Sequence, residues 1–150
     1  MIYPIIFLLV CCFTTFVFWV IYLPWLRLAK HFGSDIYLPK AFIRRQYALF
    51  IWSNNAQSIL RSRVNVGIIN HKLYLSTTSL LEYFIQPLLI DVEAITKIES
   101  DQEPALGKCY KFTIGEPSIT KLLLEKEVID QLEKDYGDLI FSSRTESNTD

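Results

Sequence analysis

The chain has 150 residues, a formal net charge of −1, 51% hydrophobic residues and three cysteines. That length is enough for one modest core, and the near-neutral balance excludes a uniformly basic nucleic-acid binder. Adjacent Cys11 and Cys12 with a solitary Cys109 exclude an internal disulfide framework.

The first element is the run Ile2 to Leu23, IYPIIFLLVCCFTTFVFWVIYL, and no charged side chain occurs before Arg27. A helix of about 22 residues at about 1.5 Å each reaches about 33 Å, enough for a bilayer core of about 30 Å. No Lys or Arg precedes the run and no small-residue cleavage site follows it, which separates it from a secretory signal. The expectation is a single-pass transmembrane anchor over residues 1–24, with Tyr3, Trp19, Tyr22 and Trp25 as interfacial aromatics.

A basic segment over residues 25–45 follows. Between Arg27 and Arg63 there are seven Lys or Arg and one acid, a net of +6; Val64 to Asp150 holds eight against fifteen, a net of −7. Positive charge close to a span stays cytoplasmic. The expected localisation is therefore membrane, with the N-terminus outside and the C-terminal domain cytoplasmic, as in a bacterial inner-membrane protein. Arg27, Lys30, Lys40, Arg44, Arg45, Arg61 and Arg63 are the candidate contacts for an anionic headgroup. Within the segment, Trp25, Leu28, Ala29 and Phe32 keep helical spacing up to Gly33.

Residues 46–137 read as a β domain closed by a helix. Residues 46–52 form a first strand, and Val64–Ile69 with Lys72–Thr77 form a hairpin around Asn70-His71. Gln86-Pro87 marks a turn or edge before Leu88-Leu89-Ile90. Two alternating runs, 93–99 and 108–115, flank the polar loop Asp101-Gln102-Glu103-Pro104. Leu124, Val128, Ile129, Leu132 and Tyr136 then make an apolar helical stripe, with Thr120 as its N-cap and Gly137 after its end. Residues 138–150 read as a disordered polar tail.

The stretch Val64-Asn65-Val66-Gly67 through Leu73-Tyr74-Leu75-Ser76, followed by Gln86-Pro87-Leu88-Leu89-Ile90, resembles a small group of uncharacterised bacterial proteins. These carry a V-x-V-G-x-x-x-x-G-L-Y-L-S segment and then P-P-L-L-I-P-W. Trp25-Leu26-Arg27-Leu28-Ala29 is similar to their W-R-x-L-A start. The resemblance implies a pleckstrin-homology-like (PH-like) domain, a bent sheet or barrel of α+β class capped by a C-terminal helix. Lys72, Gln86 and Asp91-Val92 depart from the pattern, and no binding site is carried over.

The sequence contains no recognisable phosphate-cradling loop, C-x-x-C or H-E-x-x-H. His31 and His71 are forty residues apart, and the acids Asp91/Glu93 and Glu99/Asp101/Glu103 read as a solvated strand and loop. Cys109 sits in an apolar alternation as a small buried residue. The expectation is a non-enzymatic interaction module with no cofactor and no metal. Its partners would be the lipid bilayer, through residues 2–23, and a protein, and the acidic distal domain excludes nucleic acid. The alternatives are an anionic-lipid or headgroup sensor and an accessory subunit of a membrane complex.

Overall fold

The computed structural model describes residues 2–36, 43–52, 59–78 and 85–136. Seven strands form one antiparallel sheet: β1 (Ile43–Ile51), β2 (Ile59–Ile69), β3 (Lys72–Thr77), β4 (Leu88–Asp91), β5 (Ile95–Glu103), β6 (Gly107–Ile114) and β7 (Thr120–Glu125). Their order is β4-β3-β2-β1-β7-β6-β5, two meanders joined where β1 pairs with both β2 and β7. Helix α1 (Ile2–Phe32) precedes the sheet and α2 (Lys126–Tyr136) follows it.

Local chemistry explains the tightest connections. Asn70 and His71 occupy the left-handed region at φ 46° and 61°, the two-residue turn that matches strand twist, so Val64–Ile69 pairs with Lys72–Thr77 as expected. Gly107, at φ 70°, closes the turn from β5 into β6, where the Leu106 amide donates to the Glu103 carbonyl at 3.0 Å. The loop expected at 101–104 is shorter than read, because Asp101, Gln102 and Glu103 belong to β5.

Other boundaries differ from expectation as well: β1 begins at Ile43 and β2 at Ile59, ahead of the expected residues 46 and 64. Thr120 opens strand β7 rather than capping the helix, which begins at Lys126. Leu122 and Leu124 enter the main core while Leu123 packs on the opposite face with Leu49, Leu106 and Cys109. A strand buried on both faces loses its alternation and borrows the look of a helix.

The core is built from both layers. Phe50, Val64, Val66, Leu75, Ile98, Phe112, Leu122 and Leu124 point inward from the sheet, and Val128, Ile129 and Leu132 meet them from α2. The C-terminal end of α1 joins the same core. Trp25 is 1% exposed and Leu28 0%, Ala29 and Phe32 pack beside them, and the Trp25 ring stands edge-on to Phe50 at 5.6 Å. The Trp25 Nε1 donates to the Gln86 carbonyl at 2.9 Å. At the helix end Gly33 bridges to Leu88, and the Ser34 amide donates to the Pro87 carbonyl at 2.9 Å. Gly33 is required there because a Cβ would run into the Ala29 carbonyl oxygen and Gln86 Oε1.

This placement corrects the membrane expectation. Among the described residues, no helix is long and apolar enough to cross a membrane. Trp25 and Leu28 are committed to the domain core. The single-pass anchor, the bilayer as partner through residues 2–23, the N-outside topology with a cytoplasmic domain and the inner-membrane localisation are all withdrawn with it. Within the segment 25–45, the helical stretch expected from Trp25 to Phe32 is the end of a helix continuous from Ile2.

Candidate functional site

The candidate contacts divide between two sides of the sheet. In β1, Ala48 and Phe50 face the core, so Tyr47 and Leu49 face outward. In β2, Val64 and Val66 face the core, so Arg61, Arg63 and Asn65 face outward. The register sets Arg63 opposite Tyr47 and Arg61 opposite Leu49. Arg27 and Lys30 are exposed on α1, whose Trp25 and Leu28 lie against the inner face. A basic block contiguous in sequence therefore does not form one surface. Lys40 and the Arg44 side chain lie outside the described residues.

The outward side has a built geometry. Arg63 Nη2 donates to the Tyr47 hydroxyl at 2.6 Å, and the guanidinium carbon stands 5.0 Å from the Tyr47 ring centroid. The register slips between Ile43 and Gln46, so Arg44 and Arg45 together oppose Asn65. This β-bulge puts Arg45 at φ 58°, a left-handed conformation that costs a non-glycine residue about 1–2 kcal/mol. The Arg45 amide donates to Asn65 Oδ1 at 3.3 Å, and Asn65 Nδ2 donates to Ser76 Oγ at 3.1 Å. The bulge is thus tied through Asn65 to β3. Among the described residues, neither Arg61 nor Arg63 makes an ion pair with a carboxylate.

The acids are occupied elsewhere. Lys72 pairs with Asp91 at 2.7 Å, Lys97 with Glu99 at 2.7 Å, and Lys111 with Glu99 and Asp101 at 3.3 and 3.4 Å. The hydrogen bond from Lys97, with help from Lys111, holds the Glu99 carboxyl below its ordinary range. Asp101 is also held low, first by the Gln102 amide and then by Lys111. Both are spoken for as charged partners rather than poised as proton donors. Burial among Leu49, Leu106 and Leu123 pushes the Cys109 thiol up, opposite to what a nucleophile needs. Among the described residues no three His, Cys, Asp or Glu side chains gather as a metal site.

Arg61 and Arg63 were legible as one face from their spacing. Tyr47 and Asn65 were not, because the connection between β1 and β2 leaves the register open to several pairings. No known family model matches this chain, and no curated protein matches it.

Proposed function

We propose that the protein is a non-enzymatic interaction module, a PH-like scaffold fixed to one end of a helix that engages a protein partner. The observation that carries this reading is the change of environment along α1. Near its C-terminal end Trp25 and Leu28 lie in the domain core with Ala29 and Phe32 packed beside them, while Tyr3, Ile5, Ile6, Phe7, Leu8, Leu9, Val10, Phe13 and Phe16 are 51–85% exposed. These residues fall on every side of the helix, and Thr14 and Thr15 return their hydroxyls to carbonyls of the preceding turn. A helix apolar all round is one that its surroundings enclose, and a one-sided groove would cover only part of it. The partner that fits is a protein whose apolar helices surround this segment.

The PH-like assignment rests on the strand order, the two meanders sharing β1, and the closing helix α2. The alternative of a headgroup sensor using the whole basic block is less well supported, because Arg27 and Lys30 lie across the sheet from Arg61 and Arg63. The test places photo-crosslinking residues at Phe7 and Phe13 of the full-length protein in its native cells, with Lys108 as control. One protein labelled from both helix positions and not from the control is the expected result. Labelling of no protein from Phe7 or Phe13 would sink the reading.

A further inference from the structure

We infer that the outer face of β1 and β2 is a binding site for a phosphomonoester carried on a protein partner, with Arg61, Arg63 and Tyr47 as its donors. This site is separate from the apolar half of α1 and stands whether or not that helix has a protein partner. Arg61 and Arg63 are two residues apart on one strand face, so their Cα atoms are about 7 Å apart. Two long guanidinium side chains at that separation can converge on one tetrahedral oxyanion, and each offers a planar fork of N–H donors.

Tyr47 supplies the second part of the argument. Its hydroxyl oxygen accepts from Arg63 Nη2 at 2.6 Å, which leaves its own hydrogen to donate outward. The same contact and the ring beneath the guanidinium fix Arg63 before any ligand arrives. Arg63 keeps further N–H groups, and Arg61 is exposed opposite Leu49. The donors thus lie on one face, and the two arginines carry positive charge without an ion-pair partner among the described residues. The bulge beside them holds Arg45 at positive φ, and strain of this sort persists where the surroundings over-determine a geometry.

The ligand class follows from charge and shape. A phosphomonoester carries about −1.5 to −2 charge at neutral pH and three acceptor oxygens, matching two forks and a hydroxyl better than a single carboxylate does. A protein is the favoured carrier because a flat membrane surface would recruit the basic side chains of α1 as well, and those lie on the other side of the sheet.

Inorganic phosphate titrated into the full-length protein should shift the backbone amide resonances of Tyr47, Arg61 and Arg63. On an array of degenerate peptides, copies carrying phosphoserine, phosphothreonine or phosphotyrosine should bind about tenfold or more tighter than unphosphorylated copies. R61Q/R63Q should abolish that preference, and R61K/R63K, which keeps the charge but not the fork, should lose most of it. Y47F should reduce it by a smaller factor. Equal binding of phosphorylated and unphosphorylated copies overturns the proposal. So does a preference that survives in R61Q/R63Q. Arginine-dependent binding to equimolar phosphatidylserine and phosphatidylcholine vesicles, without phosphopeptide preference, overturns it in favour of a lipid surface.

Discussion

The two ends of α1 both carry large apolar side chains and differ in fate. Trp25 and Leu28, near its C-terminal end, are fully buried, whereas Tyr3 near the start is 85% exposed. Apolar character says that a side chain must leave water but not what will cover it. The sheet answers for the C-terminal end, because Phe50 and the Gln86 carbonyl are shaped to receive Trp25. Nothing within the described residues answers for Tyr3–Phe16. The helix is therefore both a structural member of the domain and a projection from it, and the two roles are separable by mutation.

The largest effect should come from Trp25. Trp25→Ala removes a fully buried ring and its hydrogen bond, and should cost about 3–5 kcal/mol of domain stability. Phe7→Ala, the same kind of truncation on the exposed half, should leave the domain within about 0.5 kcal/mol of the unmutated protein. Urea unfolding of both variants, followed by near-UV circular dichroism, measures the contrast. Equal losses would mean that the N-terminal half is also part of the folded unit, and the comparison would fail.

Gly33→Ala probes the seam between helix and sheet. The added methyl meets the Ala29 carbonyl and Gln86 Oε1, and the backbone there is held by the bridge to Leu88. Overpacking of this kind costs about 1–3 kcal/mol. The same urea titration should show it as a lower midpoint with an unchanged slope. A change of slope would instead mean that α1 had come away from the sheet before the rest unfolded. A control far from the helix is Arg45→Gly. It relieves a left-handed residue and should raise stability by about 1 kcal/mol while leaving the behaviour of Trp25→Ala unaltered. Non-additivity between the two changes, measured as a double-mutant cycle, would show that bulge and helix are coupled.

What could be read from the chain alone tracks how local each determinant is. Asn70-His71 announces its hairpin because the turn needs residues that tolerate positive φ. The face Trp25, Leu28, Ala29, Phe32 is visible because its spacing is helical, and it is the face that packs. Strand β7 escaped because Leu122, Leu123 and Leu124 are buried on both sides and carry no period of two. The expected membrane anchor is not supported among the described residues, and a hydropathy run counts apolar residues without knowing which neighbours the fold will cover, as it covers Trp25 and Leu28. The arginine face was only half legible. Arg61 and Arg63 share a side by spacing, but their separation from Arg27 and Lys30 depends on which layer each element joins, and layers are set by tertiary packing.

The smallest effect sharpens the comparison from the end of the sheet where β5 pairs with β6. Glu99 and Asp101 lie below their ordinary values of 4.5 and 3.8, so each binds fewer protons folded than unfolded. Their contribution to stability is complete above the unfolded values and is lost as pH falls through the lower folded ones. Lys111 runs the other way. Burial alone would lower it, but hydrogen bonds and charge from Glu99 and Asp101 more than offset that and raise it above its ordinary 10.5. Its contribution is therefore present below about that value and fades only at more alkaline pH. These groups are partly exposed, so each pair contributes about 0.2–1 kcal/mol. Lys111→Met should shrink the loss of stability on acidification by about that amount, read from urea midpoints between neutral pH and pH near 3. Because this network touches neither half of α1, a chain lacking residues 2–16 should show the same dependence. If the truncated chain instead lost its acid response, the exposed half of the helix would be supporting the sheet, and the division of α1 into a buried member and a free projection would have to be redrawn.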